Sequence, residues 1–249
     1  MSGHSKWSTI KHKKAATDAK RGKIFTRLIR EIQVAARDGG PDEDSNPRLR
    51  AAVAAAKAQS MPGHNIKRAI KRGSGQLDGG TLIEVTFEGY APAGVAVLVE
   101  TVTDNRNRTV AEVRHIFAKN GGNLGENGCV AWMFKKRSLV AVDKRSATED
   151  DMMDIALMAG AEDLRDEGDL WVVDSAPEDH GAVMEALAEA RIEPVTAGVQ
   201  RIPETTVPVR GKQAGTVLRV LEKLEDQDDV QNVFSNVEID EEEFAALTA

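Results

Sequence analysis

Residues 137–203 read RSLVAVDKRSATEDDMMDIALMAGAEDLRDEGDLWVVDSAPEDHGAVMEALAEARIEPVTAGVQRIP. The short apolar run Leu139–Val142 reads as a strand, and Glu149–Ala159 has the length and spacing of a helix. Glu162–Asp166 and Leu170–Asp174 are two further strands across a glycine turn. Pro177–Ala190 is a second helix, and Val195–Ile202 closes with a strand. A βαββαβ order is the ferredoxin-like split βαβ.

Upstream of this block, Thr81–Glu88 alternates as a strand and Gly94–Val102 is almost continuously apolar. A helix over Arg106–Asn120 buries Val110, Val113, Ile116 and Phe117; a glycine-rich loop and a strand over Cys129–Phe134 follow. Downstream come a strand Thr205–Val209, a helix Ala214–Glu225 and a strand Val230–Val237. This βαβ completes the upstream ββαβ, so residues 137–203 are expected as a domain inserted into a discontinuous α+β domain, 79–136 with 204–249. The tail Asp240–Glu243 reads as a solubilising end, and Met152, Met153 and Met158 as helix core.

The first 78 residues differ in kind. Ile24, Phe25, Leu28, Ile29, Ile32, Ala35 and Ala36 fall on one face of a helix, with Lys23, Arg27, Arg30 and Arg37 on the opposite face. Gly39-Gly40-Pro41 stops it. Asn46-Pro47 supplies a cap and a first-turn proline for a second helix, and a short third helix runs from about His64 to Arg72. There Ile66, Ala69 and Ile70 face inward, leaving Lys67, Arg68, Lys71 and Arg72 outward. Residues 23–78 thus form a basic helical domain. Residues 1–22 form an arm with Lys6, Lys11, Lys13, Lys14, Lys20 and Arg21 against Asp18 alone, too poor in apolar residues to fold by itself.

Charge sharpens that division. The net charge of 249 residues is −7, but residues 1–75 hold 17 Lys and Arg against 6 Asp and Glu, a net of +11, and the other 174 carry −18. A cationic third on an acidic body points to a polyanion partner. The outward residues are Lys and Arg with few Asn, Gln or aromatic neighbours, a chemistry for backbone phosphates rather than base edges or stacked bases. The expected nucleic-acid contacts are therefore Lys6, Lys11, Lys13, Lys14, Lys20, Arg21, Lys23, Arg27, Arg30, Lys67, Arg68, Lys71 and Arg72. A second cluster, Asn105, Arg106, Asn107 and Arg108, opens a helix. Asp104 or Asn105 can cap that helix, but two arginines in its first turn oppose the macrodipole. A bound anion or RNA phosphate would resolve the conflict.

Catalytic signals are missing. The glycine pairs do not make a dinucleotide fingerprint, no Walker A pattern occurs, the five histidines are scattered, and Cys129 reads as a small core residue. No catalytic or metal residue, cofactor or small-molecule substrate is expected. No apolar run reaches the length of a membrane span, and a lone cysteine suits a reducing cytoplasm. Without heptads or an exposed apolar stripe, a monomer is the simplest expectation.

Several motifs together resemble the YebC/PmpR family, including its mitochondrial translational-activator branch. They are Gly3-His4-Ser5-Lys6-Trp7, Lys11-His12-Lys13-Lys14-Ala15, Lys20-Arg21-Gly22-Lys23-Ile24-Phe25, Asn46-Pro47-Arg48-Leu49-Arg50, Arg68-Ala69-Ile70-Lys71-Arg72-Gly73, Glu88-Gly89-Tyr90, Thr103 to Arg108, Glu112-Val113-Arg114-His115 and Gly121-Gly122-Asn123-Leu124-Gly125. Gly63-His64 departs from the charged pair expected before Asn65. The resemblance implies a non-enzymatic cytoplasmic protein of three domains, a DNA-binding transcriptional regulator. It also implies an alternative, a ribosome-associated RNA-binding translation factor that helps elongation through proline-rich stretches. The partner is DNA in the first case and ribosomal RNA in the second.

Overall fold

The structure, a computed structural model, describes residues 18–78 and 80–248. It is α+β and divides into two compact units: the chain up to Ala131 with that from Thr206 onward, and Trp132–Thr205 between them. The helical segment therefore shares one unit with the discontinuous α+β segment rather than standing alone.

The first unit opens with α1 (Asp18–Gly39), α2 (Pro47–Ala58) and α3 (Gly63–Gly73). Helix α1 already includes residues 18–22, assigned above to the arm. Lys6, Lys11, Lys13 and Lys14 lie outside the described residues, as do the side chains of Lys20 and Arg21. Ile32, Leu49, Val53, Ala56, Ile66 and Ala69 form the shared core. Asn46 ties the first two helices together. Its Oδ1 accepts from the Leu49 N–H at 3.0 Å, capping α2, while its Nδ2 donates to the carbonyls of Ala35 at 2.8 Å and Gly40 at 2.9 Å. Gly73 sets how closely α3 approaches α1, since a Cβ there would lie 2.2 Å from the Gln33 carbonyl oxygen. Gly73→Ala is expected to force the two backbones apart and cost about 1–3 kcal/mol, read as a lower urea midpoint at unchanged m-value.

Strands β1 (Ile83–Tyr90) and β2 (Ala96–Thr103) pair antiparallel from Ile83↔Thr103 to Tyr90↔Ala96. Helix α4 (Arg106–Lys119) follows, and the glycine loop contributes a two-residue strand, β3 (Asn123–Leu124), beside β1. Gly122 permits this approach, because its Cβ would sit 2.6 Å from the Tyr90 carbonyl. The strand expected over Cys129–Phe134 does not form; that stretch is a bend and a 3₁₀ turn, with only Phe134 in a strand. The buried carboxylate of Glu88 is the reason. It accepts from the N–H groups of Gly128 (2.6 Å), Val130 (2.8 Å) and Ala131 (2.7 Å), donors that a strand would have given to a neighbour.

In the second unit β4 (Phe134–Asp143) is a single strand running through the polar stretch Lys135–Ser138. It is followed by α5 (Glu149–Met158), β5 (Asp163–Glu167), β6 (Leu170–Ser175), α6 (His180–Glu189) and β7 (Thr196–Pro203). The antiparallel sheet has the order β5-β6-β4-β7, the ferredoxin-like arrangement. Val140, Val142, Trp171 and Val173 pack under Met152, Ile155, Val183 and Leu187 of the helices. Of the three methionines assigned to this core only Met152 is buried. Met153 is exposed and Met158 is 86% exposed, because they fall off the inward stripe of α5.

The chain then returns to the first unit through β8 (Val207–Pro208), α7 (Gly211–Asp226), β9 (Val230–Ser235), β10 (Val237–Glu238) and α8 (Glu241–Thr248). The sheet β3-β1-β2-β9 carries α4 and α7 over a core that includes Val97, Val99, Val113, Phe117, Leu221 and Leu224. The acidic tail is more than a solubilising end. It is helical, and the Glu243 carboxylate accepts the N–H of Gly211 at the start of α7, where the macrodipole favours an anion.

Candidate nucleic-acid interface

Helix α3 is strongly two-sided. Ile66 and Ala69 are buried and Ile70 half-buried, whereas His64, Lys67, Arg68, Lys71 and Arg72 are exposed. No Asp or Glu occurs between Asp44 and Asp78. Among the described residues none of Lys67, Arg68, Lys71 and Arg72 makes a salt bridge or a side-chain hydrogen bond. Lys71 and Arg72 sit in the last turn, where the helix dipole tolerates cations. Arg50 on α2, outside the contacts expected from sequence, is likewise exposed and without a carboxylate partner among the described residues. Such a face holds its cations available for phosphate.

The stripe on α1 is placed differently: Lys23, Arg27 and Arg30, expected on an outward face, have partners within the chain. Lys23 pairs with Asp226 at 3.0 Å, and Arg27 donates to the Glu225 carbonyl at 2.6 Å. Arg30 donates to the Asp228 carbonyl and pairs with Asp229 at 2.9 Å. Arg37 donates to the Leu82 carbonyl and bonds Asp38. Lys23, Arg27 and Arg30 meet the C-terminal end of α7, whose last carbonyls and negative dipole end attract them. Burial pulls the Arg27 guanidinium below its ordinary pKa, against the opposing charges of Glu225 and Asp226. Arg48 adds a second tie, bridging Glu31 of α1 and Glu84 of β1 at 2.7 Å each.

Asp229 is the hub of this contact. Its side chain is 1% exposed and takes Arg30, Arg108 (2.8 Å), Thr109 (2.7 Å) and Thr103 (3.2 Å). Burial pushes its carboxyl pKa up, but the hydrogen bonds from Arg108 and Thr109 and the charge of Arg30 prevail and hold it below the usual carboxylate range. At this helix start the charge of Arg108 is thereby met within the chain. Asn105 caps α4 by accepting from the Arg108 N–H at 3.1 Å, and Arg108 pairs with Asp104 and Asp229. Arg106 and Asn107 remain exposed, with no partner among the described residues.

Residues 5–76 match the family profile described as the TACO1/YebC protein N-terminal domain, and residues 82–237 match the TACO1/YebC second and third domain. The chain belongs to the TACO1/YebC family. A relative from Solibacter usitatus is 58% identical over 248 residues, covering both chains completely. One from Koribacter versatilis is 58% identical over 97% of each chain. Both carry the name "probable transcriptional regulatory protein". The crystal structure of a conserved hypothetical protein from Aquifex aeolicus is similar with a TM-score of 0.85 and 46% identity, over 93% of this chain and 96% of that one.

In this TACO1/YebC member the basic residues thus form two sets with different surroundings. Lys67, Arg68, Lys71 and Arg72 stand together on α3 with no carboxylate partner among the described residues; Lys23, Arg27, Arg30 and Arg108 bond the chain's own carbonyls and carboxylates. One pair has the distance of a nucleophile and its base, Ser138 Oγ and His180 Nδ1 at 2.9 Å. Ser138 has no exposed surface. Among the described residues no group of three or more His, Cys, Asp or Glu could hold a metal ion, and no helix is long and apolar enough to cross a membrane.

Proposed function

We propose that this chain is a non-enzymatic, cytoplasmic nucleic-acid-binding regulator of gene expression, a DNA-binding transcriptional regulator. One observation carries the reading: an exposed helix face of Lys67, Arg68, Lys71 and Arg72 with no carboxylate partner among the described residues. The names borne by the full-length relatives point the same way. The face touches phosphate oxygens, which supplies affinity and register and little sequence choice. The arm cations Lys6, Lys11, Lys13 and Lys14 precede α1 in sequence and extend the same chemistry. Arg106 and Asn107 offer a smaller contact on the body.

The test is a comparison of affinities at physiological salt for a promoter fragment, a random duplex of equal length and ribosomal RNA. A promoter preference of a thousandfold or so supports the transcriptional reading. Equal binding of the duplexes, with tighter binding of ribosomal RNA and cosedimentation with translating ribosomes, would sink it and move the protein to translation.

A further inference from the structure

The two helices of the ferredoxin-like unit, α5 and α6, pack side by side over one face of its sheet. Met152, Ile155, Ala156 and Ala159 turn into that core. At about 100° per residue, Asp150, Asp154 and Leu157 lie within about 30° of the opposite direction, with Met153 and Met158 on either side of them. Leu157 is 70% exposed, Met158 86% and Met153 42%. Single apolar residues on a surface need no explanation, but three large ones on a helix of ten residues make α5 apolar on both sides. The surroundings of this stripe are of one sign. Residues 149–162 and 177–193 hold ten Asp and Glu against one Arg and no Lys. The helix dipole accounts for the acids in the first turn of α5. It does not account for Asp154 and Glu185 farther along, nor for Glu189 at the end of α6, where an acid opposes it. Asp150, Asp154, Glu185 and Glu189 are exposed, and none has an ion-pair or side-chain hydrogen-bond partner among the described residues.

We propose that the outer face of α5 docks a cationic amphipathic helix of a partner protein. The partner's apolar side covers Met153, Leu157 and Met158, and its Lys or Arg residues meet Asp150 and Asp154 beside them. Glu185 and Glu189 of α6 add to the field that steers it in. Charge chooses the occupant. Nucleic acid and an anionic bilayer are repelled by these carboxylates, and a second copy in a symmetric pairing sets the same acids against each other. Met153 and Leu157 stand four residues apart, the ridge that a helix accepts between its own side chains. Unbranched methionines adapt to partner side chains of different shape. The inference is independent of the nucleic-acid reading, since it uses neither α3 nor any cation of the chain.

The experiment titrates the full chain into a fluorescent amphipathic peptide of Leu and Lys, apolar along one side, and reads anisotropy at physiological salt. A scrambled peptide of the same composition keeps the charge and loses the apolar side. The Leu/Lys helix is expected to bind at least about tenfold tighter than the scramble, and Met153→Ala with Leu157→Ala to remove that advantage. Alanine suits an exposed helix position, so this variant should melt close to wild type. Asp150→Asn with Asp154→Asn is expected to weaken binding about threefold or more and to flatten its salt dependence. Equal binding of helix and scramble, or a double alanine variant that binds like wild type, overturns the proposal. So does a Leu/Glu helix that binds as tightly, or binding of phosphatidylglycerol vesicles that the double alanine variant loses. Self-association of wild type in sedimentation velocity, abolished by Leu157→Lys, gives the face to a second copy and overturns it as well.

Discussion

Replacing Lys67, Arg68, Lys71 and Arg72 together by alanine is expected to weaken duplex binding by roughly two to three orders of magnitude near 0.1 M salt. Each lysine or arginine on a phosphate releases about 0.9 of a condensed counterion, so the slope of log K against log salt should flatten by about 3 to 4. The helix should survive the change. Alanine is the best helix former, the substituted residues are exposed, and the buried face of Ile66 and Ala69 is untouched. Titration of a fluorescent duplex at four or five salt concentrations reads the slope, and thermal melting checks the fold. The contrasting variant is Lys23→Ala with Arg27→Ala and Arg30→Ala. Those side chains hold the end of α7, so that triple is expected to lose stability while changing the salt slope little. If the α3 variant keeps the wild-type slope, the phosphate contacts lie elsewhere.

The distinction between these two basic sets was only half legible in the sequence. Periodicity placed Lys23, Arg27 and Arg30 on one face of α1 correctly, but an angular position does not say what packs against it. The partners lie about 200 residues away, at Glu225–Asp229. A signal existed nevertheless. Glu225 and Asp226 occupy the last turn of α7, where the macrodipole disfavours acids, and Arg106 and Arg108 occupy the first turn of α4, where it disfavours cations. Two helix ends of the wrong sign in one acidic body call for counterions, and the chain supplies them to itself. The conflict at Arg108 suggested a ligand; Asp104 and Asp229 resolve it internally.

The α+β body was legible where apolar spacing dictated it and illegible where polar side chains took over the backbone. The βαββαβ order follows from strands and helices whose inward residues recur at periods of two and 3.6. The apolar runs mark strands up to Phe134 and from Leu139, and the polar residues Lys135–Ser138 between them carry no such signal, yet β4 is continuous. In the structure the run stays extended: Arg137 bonds Asp174 and Glu162, and buried Ser138 bonds His180. The converse error fell at Cys129–Phe134, which looks like a strand but gives its N–H groups to Glu88. A single carboxylate placed some forty residues earlier in the chain decides that stretch, and no local pattern announces it.

Asp229→Ala is expected to destabilise the protein by about 3 kcal/mol and, in a unit of this size, to lower the melting temperature by roughly 6–12 °C. The substitution removes the acceptor for two guanidinium groups and one acceptor from the buried hydroxyls of Thr103 and Thr109, which keep each other and the Asn105 backbone as partners. The loss falls short of that for a fully enclosed pair, since Arg108 is partly exposed and solvent can compensate it. Asp229→Asn keeps an acceptor without the charge and should lie between. The pH dependence follows from the sign of the shift. Because the folded carboxyl titrates below its unfolded value of about 3.9, its contribution is complete above that pH and is lost as pH falls through the depressed folded value. Urea midpoints measured from pH 7 down to pH 3 should therefore fall less steeply for Asp229→Asn than for wild type, the two curves converging at the acid end. Parallel curves would mean that Asp229 does not hold α1 against the body, and the division of the basic residues into a binding set and a docking set would fall with it.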